Sequence, residues 1–293
     1  MENYFVRNKT ILVTGANGQL GKELQQLASH YPDYQFHFVA KEDLPIDDFE
    51  SVKKYFENQQ LDYCINCAAY TAVDKAETES DKAYLINGEA MANLGKICSH
   101  HQTKLIHIST DYVFNGSSSV PYKEDDAIDP INTYGASKLK GEELALNNNP
   151  STLIIRSSWI YSSYGNNFVK TMMRLMNEKE SINVINDQYG CPTYAADLAE
   201  VIMKIVNDPK GVSLSGIFNY CNEGIITWFQ FAVAIKEIIK SKCVVNPIPS
   251  SGYITAAKRP QYSGLDTTKI RDSLGIDIPH WRGSLEKCLS LLT

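Results

Sequence analysis

Short apolar runs alternate with amphipathic stretches along the first half of the chain. The apolar runs have the length of β-strands and fall at 10–15, 34–40, 61–69, 104–110 and 151–161. The stretches between them carry apolar residues at helical spacing. Strands that alternate with helices predict parallel βαβ units with right-handed crossovers. We therefore expect an α/β protein with a Rossmann-type, doubly wound parallel sheet.

After residue 161 the predicted strands and helices alternate less regularly, which predicts a smaller second lobe. Helices are expected at 166–178, 195–208 and 227–241, and strands at 181–187 and 216–224. The tail over 246–275 is richer in Pro, Gly and Ser. We predict a dinucleotide-binding domain over 1–160, which segments of about 195–235 rejoin, and a mainly substrate-binding lobe over 161–293. Ligands of such sheets bind beyond the carboxyl ends of the strands, so the cleft beside this lobe is the expected site.

Composition and charge bear on which kinds of molecule the chain binds. The chain is 43% hydrophobic and 21% charged, with a formal net charge of −6. This charge argues against nucleic acid or an anionic membrane as the main partner. No apolar run approaches the roughly 20 residues of a membrane span, and the polar start lacks a signal-peptide core. We predict a cytoplasmic protein.

The seven cysteines predict no disulfide framework or metal site. Cys64 and Cys67 form a C-x-x-C inside an apolar strand, without a second pair or a nearby histidine. Residues three apart on a strand face opposite sides of the sheet. We interpret the cysteines as small buried thiols and predict no resident metal.

A glycine-rich segment, TGANGQLG, directly follows the first predicted strand and opens the first helix. It places Gly15, Gly18 and Gly21 three residues apart. Glycines at such a turn allow tight backbone, close approach to a pyrophosphate and close helix–strand packing. The free N–H groups of the helix start attract the anion. An ordinary glycine-rich turn is the alternative, but the position between strand and helix favours a dinucleotide site.

The residues after the second predicted strand do not decide between the two nicotinamide cofactors. Lys41 is suited to the 2′-phosphate of NADP, whereas Glu42 or Asp43 is suited to the free 2′-hydroxyl of NAD. We predict that NADPH or NADH can bind, with a mild preference for NADPH.

Tyr134 and Lys138 form the candidate acid–base pair. They are separated by four residues at the start of a predicted helix, so they share one face. A lysine cation near a phenol favours the phenolate and lowers the pKa of the phenol from about 10. By itself the pair is also compatible with an ordinary helix start. Thr110 ends the fourth predicted strand, where its hydroxyl can bond a substrate oxygen.

Several motifs together resemble the extended short-chain dehydrogenase/reductase family. They are the glycine loop, NCAAYTAVDKAE, STDYVF and Tyr134-x-x-x-Lys138. Within that family the chain is similar to the dTDP-4-dehydrorhamnose reductases. The similarity extends from about Thr10 to the C-terminus, in the blocks AAYTAVDKAE, STDYVFNG, RSSWIY, GNNFVKTMMRL, INDQYGCPT and KRP.

This resemblance implies a role for each matching residue. Tyr134 is the general acid, Lys138 lowers its pKa and binds the nicotinamide ribose, and Thr110 bonds the substrate carbonyl. The implied cofactor-binding residues are Gly15, Asn17, Gly18, Gln19, Leu20, Gly21, Lys41, Ala68, Ala69, Tyr70 and Lys138. The implied substrate-binding residues are Val73, Asp74, Asp111, Tyr112, Phe114, Trp159, Asn166, Asn167, Gln188 and Arg259.

The implied reaction is reduction of the C4 ketone of dTDP-4-dehydro-β-L-rhamnose to dTDP-β-L-rhamnose with NAD(P)H. This is the last step of dTDP-L-rhamnose synthesis, which serves cell-surface polysaccharides such as lipopolysaccharide. Alternatives are another nucleotide-sugar 4-ketoreductase, epimerase or dehydratase. A regulatory subunit similar to the methionine adenosyltransferase β subunit is a non-enzymatic alternative.

One departure from the family pattern bears on oligomerisation. Some members form a Mg²⁺-bridged dimer through carboxylates, one of which follows the Pro-Thr motif. Aligned on Pro192 and Thr193, that position is Ala196, and Asp197 comes one residue later. One residue rotates a helical side chain by about 100°. We therefore expect no metal-bridged dimer, and a monomer or weak homodimer instead.

Overall fold

In the computed structural model, residues 8–292 are described, and a parallel sheet lies at their centre. The polar start over 1–7, interpreted above as lacking a signal peptide, lies outside the described residues. Within 8–292 the sheet has six strands in the order β10-β5-β4-β3-β1-β2. The strands are β1 Lys9–Thr14, β2 Tyr34–Val39, β3 Tyr63–Asn66, β4 Lys104–Thr110, β5 Leu153–Ser157 and β10 Gly216–Asn219. The expected doubly wound sheet is confirmed, and the segment near 216 returns to it beside β5.

Helices cover both faces of this sheet. They are α1 Gln19–Ala28, α2 Phe49–Glu57, α3 Val73–Ala76, α4 Ser80–Tyr84, α5 Ala90–His100, α6 Thr133–Asn148, α8 Ala195–Asn207, α9 Pro209–Ser213 and α11 Thr268–Leu274. A π-helical turn over Leu85–Glu89 joins α4 to α5. The helical stretch expected between the third and fourth predicted strands therefore contains a widened turn, a feature that is frequent at functional sites. Ile270 and Leu274 bring α11 from the tail into the core of the main sheet.

The second lobe packs around a separate apolar cluster. Its helices are α7 Phe168–Glu178, α10 Trp228–Ile238 and α12 Trp281–Ser290, and its strands are β6 Ile160–Tyr161, β7 Ser181–Ile185, β8 Tyr189–Gly190, β9 Thr193–Tyr194, β11 Ile226–Thr227, β12 Val244–Ile248 and β13 Tyr262–Ser263. Short 3₁₀ turns lie at Asp111–Val113 and Ser250–Gly252. Phe231, Ile235 and Leu285 are completely buried where α7, α10 and α12 meet.

The prediction of one strand over 151–161 is wrong. The chain leaves the main sheet after Ser157, and Ile160 and Tyr161 form β6, which pairs with β9. Trp159 between them has φ 46°, a left-handed conformation that interrupts an extended strand. The turn carries Trp159 to the carboxyl edge of the sheet, where the cleft lies.

Candidate active site

A cleft of about 880 Å³ lies along the carboxyl edge of the main sheet. It lies between the glycine loop after β1 and the side chains of the second lobe. The predicted site residues that line it are Gly15, Asn17, Gly18, Gln19, Leu20, Lys41, Ala68, Ala69, Tyr70, Val73, Thr110, Asp111, Tyr112, Tyr134, Lys138, Trp159 and Asn166. Residues from many separate segments therefore meet in one cavity of the size that ligand sites have.

The glycine loop has the geometry of an anion cradle. Gly15 has φ +67°, and a Cβ placed on it would lie 2.7 Å from the Ala68 nitrogen. Gly21 does not line the cleft; a Cβ there would lie 2.5 Å from the Gly15 oxygen. The first helix, α1, begins after Gly18 without a side-chain cap, so its first N–H groups remain free for a ligand. This loop fits the pyrophosphate of a dinucleotide.

The loop after β2 presents a mixed charge to the cleft. Lys41 and Glu42 are exposed and line the cavity, as does Asp47. Asp43 instead turns back, and its carboxylate accepts a hydrogen bond from the Ala40 N–H at 2.9 Å. Asp43 is therefore occupied within its own turn, which leaves Lys41 and Glu42 as the candidate contacts to an adenosine ribose.

The π-helical turn holds the loop after β3 in place. The Asn87 side chain accepts a hydrogen bond from the Tyr70 N–H at 2.8 Å and donates one to the Tyr70 carbonyl at 3.0 Å. Asn87 also donates to the Ser137 hydroxyl at 2.9 Å. The loop that carries Ala69 and Tyr70 is thereby joined to α6, the helix of the acid–base pair. The sequence pattern did not indicate Asn87, because it lies inside an apparently regular helix.

Tyr134 lies at the start of α6, in the first turn. The Asn132 side chain caps this helix by accepting the Gly135 N–H at 2.8 Å. The Tyr134 ring packs edge-to-face on Tyr112, with the centroids 5.8 Å apart. Its phenol hydrogen-bonds with Thr110, yet burial is the larger effect and raises the pKa of Tyr134 to about 12. The expected lowering of the Tyr134 pKa toward neutrality is therefore wrong: in this structure the pKa is raised.

Lys138 follows one turn later and is 1% exposed. Its ammonium donates to the Ile108 carbonyl at 2.7 Å and lies 3.1 Å from Nε2 of His107. Burial lowers the pKa of Lys138 to about 8, while Glu142 and Cys67 act in the opposite direction. Lys138 therefore remains largely cationic at neutral pH but titrates just above it.

The Asp111 carboxyl lies beside Thr110 and is 2% exposed. The Thr110 hydroxyl donates to it at 3.0 Å. Burial raises the pKa of Asp111 to about 7, despite hydrogen bonds that lower it. This carboxyl is thus partly protonated at neutral pH, and it orients the Thr110 hydroxyl at the cleft.

Arg259, in the tail of the chain, and Asp74, on α3, form an ion pair. The two guanidinium nitrogens meet the two carboxylate oxygens at 2.9 and 2.6 Å. Hydrogen bonds from Arg259, the largest cause, lower the pKa of Asp74 to about 2. The donors of Arg259, an implied substrate-binding residue, are therefore engaged by a carboxylate, and neither side chain lines the cavity.

Three other predicted substrate residues lie away from the cleft. Phe114 is completely buried and stacks on Tyr122, with the ring centroids 4.2 Å apart. Asn167 caps α7 and donates to Gln19 at 2.9 Å. Gln188 is 9% exposed and does not contribute to the cleft wall. Their assignment as substrate-binding residues stays a prediction, although packing accounts for the position of Phe114 and capping for that of Asn167.

Sequence reasoning missed some of the cleft wall. Trp228 begins α10 and stacks on Trp159, with ring centroids 3.4 Å apart. Cys67 reaches the cavity, whereas Cys64 packs in the core on the other face of the sheet. All seven cysteines are free. Trp228 could have been noticed only as a large aromatic at a helix start.

The structure offers no support for a metal ligand at Asp197. This side chain is 5% exposed and accepts hydrogen bonds from Asn222 and Ser284. Between residues 8 and 292, no three His, Cys, Asp or Glu side chains are arranged as metal ligands. Within the same range, no helix is both long enough and apolar enough to cross a membrane.

Comparison with known proteins gives consistent matches over nearly the whole chain. The model of the RmlD substrate binding domain matches residues 9–293. A dTDP-4-dehydrorhamnose reductase from Aggregatibacter actinomycetemcomitans is 38% identical, with 94% of this chain and 97% of that protein covered. The spore coat polysaccharide biosynthesis protein SpsK of Bacillus subtilis is 41% identical, with 95% and 96% covered.

A solved structure agrees with these matches. The dTDP-4-dehydrorhamnose reductase of Bacillus anthracis, in complex with NADP, is 39% identical and superposes with a TM-score of 0.92 over 97% of this chain and 99% of that one. With the cleft, the glycine loop and the Tyr134–Lys138 pair in one place, we conclude that this chain belongs to the RmlD substrate binding domain family, together with these dTDP-4-dehydrorhamnose reductases.

Proposed function

We propose that the chain reduces the C4 ketone of dTDP-4-dehydro-β-L-rhamnose to dTDP-β-L-rhamnose with NAD(P)H. The observation that carries this proposal is the meeting of the glycine loop with Thr110, Tyr134 and Lys138 in one cleft. Relatives of 38% identity that carry the reductase name support the choice of sugar.

A nicotinamide cofactor bound along the glycine loop would supply the hydride. Gly15, Gly18 and the free start of α1 would hold its pyrophosphate. Lys41 favours NADPH, and the NADP in the Bacillus anthracis relative supports the same mild preference. Since Glu42 lines the same part of the cleft, NADH is also an allowed cofactor.

Tyr134 then acts as the proton donor. At neutral pH its phenol is protonated, because burial raises its pKa to about 12. A protonated phenol is the form that can donate to an alkoxide as the ketone is reduced. Thr110 bonds the same oxygen when its single hydroxyl proton turns from Asp111 to the substrate, while the Lys138 cation stabilises the phenolate that remains.

The second lobe would bind the nucleotide part of the substrate. Trp159 offers an aromatic surface at the cleft, which suits a base or sugar ring. Arg259 suits a diphosphate through its fork of donors, and binding there requires it to exchange Asp74 for phosphate.

We further propose a cytoplasmic monomer or weak homodimer; size-exclusion chromatography and light scattering test the oligomeric state.

The test is NADPH consumption with a panel of nucleotide-linked 4-keto-6-deoxysugars. We expect turnover with dTDP-4-dehydro-β-L-rhamnose and much slower turnover with other sugars. Folded protein that consumes no NADPH with any of them contradicts the proposal. Denatured protein that releases stoichiometric NAD would instead favour an epimerase or dehydratase, which retains its cofactor through the cycle.

A further inference from the structure

A row of buried polar side chains crosses the main sheet behind the cleft and ends at Lys138. The Thr14 hydroxyl lies 2.5 Å from Oδ1 of Asn66, Nδ2 of Asn66 lies 2.9 Å from Nδ1 of His107, and Nε2 of His107 lies 3.1 Å from Nζ of Lys138. Each of the four residues is at most 1% exposed. The large majority of buried polar groups in proteins are paired by hydrogen bonds, as these are.

The register of the sheet places these residues opposite one another. Thr14 is the partner of Asn66 across β1 and β3, and Asn66 is the partner of His107 across β3 and β4. Their side chains therefore project from one face of three adjacent strands, and α6 brings Lys138 onto that face. Lys138 is the member of the row that lines the cleft, and Asn66 contacts the carbonyl of the cleft residue Ala68 at 3.3 Å. The reaction proposed above assigns no role to Thr14, Asn66 or His107.

The donors and acceptors of the row can be counted. A lysine ammonium has three N–H donors and no acceptor. One donor reaches the Ile108 carbonyl and a second faces Nε2 of His107, which leaves the third for the cleft. With Nε2 as acceptor, the ring proton resides on Nδ1, and the Asn66 amide turns its oxygen toward it, since the two ends of an amide are similar in shape. This orientation gives up the contacts of the amide nitrogen with the Ala68 carbonyl at 3.3 Å and the Met91 sulfur at 3.2 Å. The Thr14 hydroxyl both donates and accepts, so it satisfies either amide orientation.

We propose that His107 is a positioning residue for the reductase reaction: anchored by Asn66 and Thr14, its neutral imidazole accepts a hydrogen bond from Lys138 and holds the ammonium toward Tyr134 and the cofactor. This inference rests on the proposed function. Burial and the Lys138 charge lower the pKa of His107 well below its usual value, which keeps the ring neutral.

The groups around Lys138 define the expected pH dependence. His107 faces it from β4, Cys67 from the loop after β3, and Glu142 from the next turn of α6, where Glu142 is paired with Arg156. Loss of the His107 acceptor disfavours the ammonium, so the pKa of Lys138 falls further. On a plot of kcat against pH, the fall in activity at high pH, called the basic limb below, then moves to lower pH.

Two amide substitutions at His107 distinguish a role in positioning Lys138 from a role in packing alone. In His107→Gln the amide extends toward the Nε2 position and can accept from Lys138, whereas in His107→Asn it reaches only the Nδ1 position. We expect H107N to lower kcat about tenfold, the effect of losing one charge-assisted hydrogen bond. Its basic limb should move down by about one pH unit, with KM for the sugar little changed. H107Q should recover most of kcat and the position of the limb.

His30→Asn, at an exposed position outside the cleft lining, is the matched control for loss of a histidine. Thermal unfolding of each variant shows whether a loss of activity is a loss of fold. Equal kcat and an unmoved limb in H107N and wild type would overturn the proposal. So would equal losses in H107N and H107Q that follow their melting temperatures.

A measurement on the wild-type protein is independent of these variants. With ¹⁵N-labelled histidine, the ring of His107 should remain neutral at pH 5.5. Its Nε2 signal should then move as Lys138 loses its proton near pH 8, and Lys138→Met should abolish that movement. A His107 ring that is charged at pH 5.5, or an Nε2 signal that does not respond to Lys138, refutes the proposal. Because this readout needs no substrate, it remains valid if the wild type fails the sugar assay and the proposed function falls.

Discussion

At the scale of single residues, burial dominates the chemistry of the cleft. The pKa values of Tyr134 and Asp111 are raised and that of Lys138 is lowered, so each shift favours the neutral form of the side chain. Desolvation is the largest cause for each. A sequence can show that a phenol and an ammonium share a helix face. It cannot show how much water each loses, because that depends on segments distant in the chain. The pairing was therefore predictable, and the direction of the phenol pKa was not.

Tyr134→Phe tests the proton donor directly. The change removes one hydroxyl and keeps the ring, so its edge-to-face contact with Tyr112 is retained. We expect kcat to fall by about 10²–10⁴-fold, the usual contribution of general acid catalysis. The Kd for NADPH, measured by fluorescence titration, should change little.

Tyr164→Phe is the matched control, since this tyrosine belongs to the second lobe and lies outside the cleft lining. It should leave kcat within about twofold, as expected of a substitution that does not touch the reacting atoms. Retention of activity in Y134F would mean that another group donates the proton.

At the scale of secondary-structure elements, the regular sheet was predictable and the short strands were not. The strands β1 to β5 contain continuous apolar runs, which have a recognisable length and turn signals at their ends. The second lobe instead uses two-residue strands such as Ile160–Tyr161 and Tyr189–Gly190. These are too short to show periodicity, and tertiary pairing creates them. The helix α12 was also not predicted; it packs against α10 and β9 of the second lobe.

The close contact between α1 and the glycine loop gives a prediction at this scale. A methyl group on Gly21 would lie 2.5 Å from the Gly15 oxygen, so Gly21→Ala must push the helix away from the loop. We expect a destabilisation of about 1–3 kcal/mol, as in overpacked cores, and a weaker affinity for NADPH. Chemical denaturation and fluorescence titration measure the two effects.

Gly283→Ala in α12 is the control for the same exchange. A methyl group there has no neighbour within 4 Å, so the variant should gain up to about 1 kcal/mol from helix propensity. Equal stability and NADPH affinity in G21A and wild type would show that close packing at the glycine loop does not determine cofactor binding.

At the scale of the whole molecule, the chain brings together groups that no local pattern connects. The row from Thr14 to Lys138 requires three adjacent strands and a helix from four separate segments. His107 stands in an unremarkable apolar run, so the sequence carried no signal for it. The cleft residues after β1, β3 and β4 were predictable because each follows a strand, and carboxyl ends of parallel strands meet at one edge.

The Asp74–Arg259 pair links the two halves of the molecule, and it gives a prediction at this scale. Arg259→Lys keeps the charge but loses the fork that suits a diphosphate. We expect KM for the nucleotide sugar to rise about tenfold or more, from the loss of one charge-assisted hydrogen bond. The value of kcat should change little, since Arg259 does not line the cavity that contains Tyr134 and Lys138.

Stability separates this role in binding from a structural one. Arg259 is 22% exposed and Asp74 45% exposed, and ion pairs that open to solvent contribute only about 0–1 kcal/mol. Arg259→Lys should therefore leave the free energy of unfolding almost unchanged. Arg282→Lys, in an exposed ion pair with Glu237 on α10, is the control that should change neither KM nor stability. If KM is unaffected in R259K while stability falls, the pair holds the two halves together and Arg259 does not bind the substrate, because a phosphate contact would appear in KM first.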